Sequence, residues 1–319
     1  MRYNEGLKKE FQQMYKIALW VIAISLLTAC SSNGQSADNG QLNVVATTGQ
    51  IADAVSNVAG DHVNLTGLLG PGVDPHLYVP TEGDVSTFSE ADVIFYNGLH
   101  LEAQMTRVMA QMEQNGITVV AVGDELPADR LLGWTGSGGA YDPHIWNDPA
   151  LWSMVVATIR DTLATADPGN AADYQANAER YLAEISDADS YVREQIDSIP
   201  AENRIMITAH DAFGYFARSY GLEVRGLQGI STESEASTAD VQALADYIVE
   251  KQVPAIFVET SVSPRTIESV QAAVGAQGFE VQIGGSLFSD ALGEAGHEAE
   301  TYTGMLRYNA RTLAEALGD

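Results

Sequence analysis

The chain is 319 residues long, carries a formal charge of −27 at pH 7 and contains a single cysteine. Charge of that sign repels phosphate backbones and excludes nucleic acid as a partner. One thiol excludes an internal disulfide and a thiolate metal cage, so any metal chemistry falls to imidazole and carboxylate.

Residues 1–29 are set aside first. Lys8, Lys9 and Lys16 precede an apolar run over 17–27, too short for a comfortable membrane span and suited to the core of a secretory signal peptide. The run closes on Leu27-Thr28-Ala29-Cys30, followed by Ser31 and Ser32. Small residues leading into a lone cysteine resemble the lipobox of bacterial lipoproteins. That resemblance implies that Cys30 is lipidated and anchors the exported protein to a membrane, on its periplasmic or cell-surface side. Residues 30–41, polar and rich in Gly and Ser, read as a flexible tether. Beyond residue 29 Lys251 is the only lysine. The resulting acidity reads as a solubility adaptation, not as a mark of cation binding.

From residue 42 short β-branched runs alternate with amphipathic stretches. Strands are expected at 42–47, 63–69, 93–97 and 118–122, with helices at 49–58, 82–90 and 101–114 between them. A second series has strands at 204–209, 223–226, 255–259 and 279–283. Its helices fall at 212–220, 237–251 and 264–277, with a closing helix at 301–317. Such alternation predicts an α/β fold with mostly parallel, doubly wound sheets. Two series in tandem predict two lobes, 42–169 and 200–319.

Between the lobes, Asp167-Pro168-Gly169-Asn170 is a break with Asn170 as candidate N-cap. Over 170–199, Tyr174, Ala178, Tyr181, Ile185, Ala188, Val192, Ile196 and Ile199 recur at steps of three and four. That spacing places one apolar stripe along a single long linker helix. At 1.5 Å per residue the rod is about 43 Å long, enough to run the height of both lobes and hold their relation fixed. The alternative is two shorter helices broken near Asp187-Ala188-Asp189.

The tripeptide Asp-Pro-His occurs twice, as Asp74-Pro75-His76 and Asp142-Pro143-His144, each just before a candidate helix. Proline fixes its own φ and biases the preceding residue away from the helical region, so each loop is stiff and aims its histidine. Asp74 and Asp142 are placed to orient loops or rings from behind. His210 directly follows strand 204–209, at the carboxyl end where open α/β sheets bind ligands. Asp290 follows the last strand. Spacing alone selects no ligand set, because these residues lie far apart and no His-Glu-x-x-His or similar local signature is present. His62 beside a strand start, His100 after Asn97-Gly98-Leu99, and His297 in the acid-rich run 294–300 read as solvated side chains.

The segments around His76, His144, His210 and Asp290 resemble, in order, the metal-binding receptors of ABC importers known as cluster A-I, or solute-binding protein family 9. So do Gly229-Ile230-Ser231-Thr232-Glu233-Ser234-Glu235-Ala236-Ser237 and Ile256-Phe257-Val258-Glu259-Thr260. The resemblance spans essentially the whole chain after the tether. It implies two α/β lobes joined by one long helix, with one metal ion per chain between them. His76 and His144 from the first lobe, and His210 and Asp290 from the second, are the implied ligands. Glu259, ending a buried-looking strand, is expected to stand behind a ligand.

Three neutral imidazoles and one carboxylate suit Zn2+, and a bidentate Asp290 would admit Mn2+. Family members with glutamate in place of His210 resemble manganese receptors, so His210 points to zinc, or to a receptor accepting both metals. Many zinc receptors carry a long histidine-rich loop ahead of the second histidine; here residues 124–140 are short, Gly-rich and without histidine, which keeps manganese as second cargo. The implied partners are an ABC permease and its cytoplasmic ATPase, the receptor itself being a monomer and not an enzyme.

Two other classes compete. A zinc-dependent hydrolase needs an open coordination position and a base, such as Glu259 or Glu233, beside a bound water. A surface adhesin would need an adhesive module, and none stands out. Imidazole binds metal as a neutral base, so binding is expected to weaken below about pH 6.5. A rigid linker predicts small lobe motion.

Overall fold

The computed structural model describes residues 40–134 and 139–318. Cys30 and the segment read as a signal peptide lie outside the described residues. Strands β1 (Leu42–Ala46), β2 (Val63–Gly67), β3 (Val93–Tyr96) and β4 (Thr118–Ala121) form one parallel sheet in the order β2-β1-β3-β4. Helices α1 (Gly49–Ala59), α2 (Glu82–Ser89) and α3 (Thr106–Gln114) are the crossovers. Consecutive residues Val44 and Val45, and again Ile94 and Phe95, are buried, as expected of a parallel sheet covered on both faces. Val44 and Phe95 face the main core. Val45 and Ile94 face a smaller cluster with Phe88, Met105, Met109 and Met112.

Helix α4 (Pro149–Ala166) follows the second Asp-Pro-His. Asp148 caps it, accepting from the N–H groups of Ala150 and Leu151, and proline occupies its first turn, where a missing N–H costs nothing. Helix α5 (Ala171–Asp197) is the unbroken rod that the apolar stripe predicts, about 40 Å over 27 residues. Tyr174, Ala178, Tyr181, Ile185, Ala188, Val192 and Ile196 are its buried residues. Asn170 stands at the N-cap position without capping through its side chain. Its amide donates instead to Asp167 Oδ2 at 2.6 Å.

In the second lobe β5 (Ile205–Thr208) pairs in parallel with β6 (Glu223–Gly226), and β7 (Ala255–Glu259) with β8 (Gln282–Leu287). Helices α6 (Gly214–Tyr220), α7 (Thr238–Lys251), α8 (Arg265–Ala276) and α9 (Tyr302–Leu317) complete it. Strand β8 starts and ends later than the expected 279–283. Gly284 and Gly285 lie inside the strand. A Cβ at Gly284 would stand 2.7 Å from Phe257 and Ala316, and one at Gly285, where φ is +140°, 2.6 Å from Thr312. Glycine there lets α9 approach the strand closely.

One apolar core is continuous from Val44 and Val55 through the α5 stripe to Met206, Phe257, Leu306 and Leu317. The two lobes therefore share the core laid along the linker helix. A second cluster, around Ile207, Ile256 and Val270, belongs to the second lobe alone.

Candidate metal centre

His76 lies on the loop between β2 and α2. Its N–H donates to Asp74 Oδ1 at 2.9 Å, a local turn that proline at 75 stiffens. His144 repeats the arrangement more tightly: Asp142 Oδ1 accepts from the His144 N–H at 2.9 Å and also lies 2.7 Å from ring Nδ1. His210 follows β5. Its backbone N–H donates to Glu259 Oε1 at 2.8 Å, and its Nδ1 lies 2.6 Å from Glu259 Oε2. Asp290 follows β8, and the preceding carbonyl, of Ser289, accepts from Trp146 Nε1 of the first lobe at 2.8 Å.

These four side chains, distant in sequence, converge. Each offers one ligand atom within 4.8 Å of the others. His76 Nε2 is 3.3 Å from His144 Nε2 and 3.7 Å from Asp290 Oδ2. His144 Nε2 is 3.6 Å from Asp290 Oδ1, and His210 Nε2 is 3.1 Å from Asp290 Oδ2. A tetrahedron with metal–ligand distances of 2.0–2.1 Å has edges of about 3.3 Å. The group has that size. All four residues are buried, none more than 2% exposed.

Two of the four donor groups already hold the protonation state that binds metal. Burial pushes the His76 imidazole down to about 3, helped by His144 and His210 against the pull of Asp290, so it is neutral at pH 7. Burial raises the Asp290 carboxyl, but His210 at 3.1 Å, with the other two rings, outweighs it and holds Asp290 well below the usual carboxylate range. His210 is lowered by burial but raised further by Asp290 and Glu259, and the net shift is well upward. A cation arriving at its Nε2 therefore displaces a proton. Both Asp290 carboxylate oxygens and His210 Nε2 are buried without a hydrogen bond of good geometry. Buried polar atoms are normally satisfied, and a shared cation satisfies all three.

The flanking carboxylates differ. Glu259 and Asp142 stand behind the rings of His210 and His144. Asp74 touches only the backbone of His76, and its Oδ2 accepts from the Thr232 hydroxyl at 2.6 Å. The remaining histidines lie apart from this group. His62 is half-buried and lies 3.1 Å from Asp173. His100 is exposed, and exposed His297 accepts the Ala299 N–H to cap a 3-10 turn. Residue patterns did not disclose the cross-lobe supports Trp146, Tyr215 and Thr232. Thr232 lies in the segment Gly229–Ser237, whose resemblance was legible although its task was not.

The family described as "Zinc-uptake complex component A periplasmic" matches residues 44–316. The chain is 45% identical over 306 residues to the zinc-binding protein TroA of Treponema pallidum, covering 95% of this chain and 98% of that protein. It is 43% identical over 303 residues to the manganese-binding lipoprotein MntA of Bacillus subtilis, covering 94% and 98%. The solved structure of the periplasmic zinc-binding protein TroA superposes with a TM-score of 0.85 at 46% identity, over 88% of this chain and 100% of that one. The two-lobe α/β architecture, the convergent three-histidine, one-aspartate group and these likenesses agree: the chain belongs to the zinc-uptake complex component A family of metal-binding solute-binding proteins.

Proposed function

We propose that this chain is the extracytoplasmic receptor of an ABC importer. It captures one divalent transition metal between its lobes, through His76, His144, His210 and Asp290, and delivers it to a membrane permease driven by a cytoplasmic ATPase. The observation that carries this reading is the convergence of four buried donors, two from each lobe, at the spacing of a tetrahedral ion. Glu259 and Asp142 support the rings of His210 and His144 from behind, and Asp74 holds the backbone N–H of His76. The lobes are 42–169 and 200–319, with 170–199 as linker.

Zinc is the first cargo and manganese the second. Three imidazoles and one carboxylate form a borderline-soft set, and the spacing suits four-coordination. A bidentate Asp290 extends the set to the higher coordination of manganese. Four protein ligands fill a tetrahedral zinc and leave no position for an activated water. Glu259 directs both oxygens at His210, and exposed Glu233 accepts from Gln104 Nε2 at 3.3 Å. Both carboxylates are engaged with these partners, so binding is favoured over hydrolysis. No observation favours adhesion. Attachment is through lipid at Cys30, with the receptor monomeric; among the described residues no helix is long and apolar enough to cross a membrane.

The test is elemental analysis of the protein from its native host, beside His210→Ala and Asp290→Ala. Zinc or manganese near one per chain, lost in both variants, is the expected result. Metal retained in both variants, or absent from the wild type, overturns the assignment.

A further inference from the structure

The two Asp-Pro-His loops are held in opposite ways. Residues 142–149 around His144 are all buried. Four hydrogen bonds bolt them to the second lobe: Tyr215 Oη to the Asp142 carbonyl (2.9 Å), Asn147 Nδ2 to the Ala212 carbonyl (2.9 Å), Trp146 Nε1 to the Ser289 carbonyl (2.8 Å) and Tyr302 Oη to the Trp146 carbonyl (2.9 Å). Arg218 adds an ion pair to Asp148 at 2.9 Å. The Ser289 bond also fixes the chain beside Asp290. His144, His210 and Asp290 thus form one rigid half of the site.

The His76 loop has little of this. Leu77 and Val79, on either side of Tyr78, are 53% and 66% exposed, two of the three large apolar side chains left exposed among the described residues. A cavity of about 500 Å³, lined by Asp74, Leu77, Thr232 and Ser261 among others, opens on one side of the loop. Another of about 490 Å³ involves Pro71, Gly72, Thr260 and His297. The far end is pinned to its own lobe, where Tyr78 Oη and the Thr81 N–H both donate to Asp84 Oδ2. The near end carries Gly72 at φ +72°, a conformation natural to glycine. Apart from the contacts of His76 itself, one hydrogen bond joins the loop to the second lobe among the described residues: Thr232 Oγ1 to Asp74 Oδ2. The other oxygen of that carboxylate holds the His76 N–H.

We infer that Thr232 is a positioning residue for the metal, acting through Asp74 on His76, and that the His76 loop is the part of the site that moves to admit and release the ion. Thr232 is buried at the mouth, in a segment whose neighbours Glu233 and Ser234 are exposed. Its hydroxyl latches the first-lobe loop to the second lobe through the carboxylate that sets the histidine. Breaking the latch frees His76 to withdraw as one body with its loop. Three ligands stay behind on the bolted side, and a coordination position opens for an incoming ligand. The inference rests on the four-ligand reading above.

The experiment uses the full-length chain loaded with Zn2+ alone, with the metal's transfer to excess chelator followed by stopped flow. A hydrogen bond to a charged group carries enough energy that Thr232→Val should release zinc on the order of tenfold faster. Thr232→Ser, which keeps the hydroxyl, should restore the slow rate. Hydrogen exchange on the wild type gives a readout independent of any variant: zinc should slow exchange within 70–81 far more than within 142–149. Release at the wild-type rate in Thr232→Val, no rescue by serine, or zinc protection confined to 142–149 overturns the inference while leaving the receptor reading in place. A wild type that takes up no zinc overturns the receptor reading itself, and this inference with it.

Discussion

Glu259 holds His210 at two points, accepting its backbone N–H through Oε1 at 2.8 Å and facing its ring Nδ1 through Oε2 at 2.6 Å. This bracket joins the ends of β5 and β7, so the residue that aims the third imidazole also ties together the two strand pairs of the second lobe. A carboxylate behind a ligand ring fixes the tautomer that leaves Nε2 free and makes that nitrogen a better donor.

Replacing Glu259 by glutamine keeps the size and one acceptor but removes the charge. Zinc affinity in Glu259→Gln is expected to fall by about 10–100-fold, measured by competition with a chromophoric chelator. An unchanged affinity would show that the carboxylate does not act through the ring.

Asp53 on α1 accepts from Tyr181 Oη of α5 at 2.6 Å and from the Tyr302 N–H of α9 at 3.3 Å. Burial raises its carboxyl above the usual value of 3.8, and the two donors offset only part of that. A carboxyl whose folded pKa is raised is most favourable to the fold while protonated. Its contribution is present at and below the unfolded pKa and is lost as pH rises through the folded value. Wild type should therefore lose stability relative to Asp53→Asn as pH is raised from about 4 towards neutrality. Denaturant midpoints of the two proteins across that range provide the check; a difference independent of pH would contradict the raised pKa.

Ile185 sits fully packed at the middle of the linker helix. Ile185→Ala should cost about 2–5 kcal/mol, from the lost apolar contact and the cavity left behind. Because the core along α5 is continuous through both lobes, the loss should appear as one shifted unfolding transition followed by circular dichroism. Two separated transitions, only one of them moved, would mean that the lobes fold on separate cores.

The same shared core limits motion between the lobes. Solution scattering of the metal-free and zinc-loaded protein should give the same radius of gyration within error, because reorienting the lobes would open the packing around α5. A clear compaction on adding zinc would reject the rigid-linker picture and relocate the moving part from the His76 loop to the lobes.

Much of this architecture was legible in the residues. The stripe from Tyr174 to Ile196 reports a single helix because side chains three and four apart share a face, a local rule that needs no partner. Strands β6 and β7 fall where β-branched runs put them. The misplaced β8 shows the boundary of such reading. Gly284 and Gly285 carry no strand signal of their own, and the close approach of α9 that they permit is a tertiary fact.

The site divides along the same line. The sequence by itself determined which side chains are candidate donors, since both Asp-Pro-His loops, His210 at a strand end and Asp290 were nameable from type, local context and resemblance. Glu259, Asp142 and Asp74 were nameable as their supports. Only the tertiary structure decided that the four candidate donor atoms stand at the corners of one tetrahedron and that Asp74 reaches Thr232. It alone decided that the His144 loop is bolted across the lobes while, apart from His76 itself, one hydrogen bond joins the His76 loop to the second lobe among the described residues. These are relations between residues far apart in the chain, Asp74 and Thr232 by 158 positions. They arise when the sheets and the long helix close around a common core, and no local propensity encodes them.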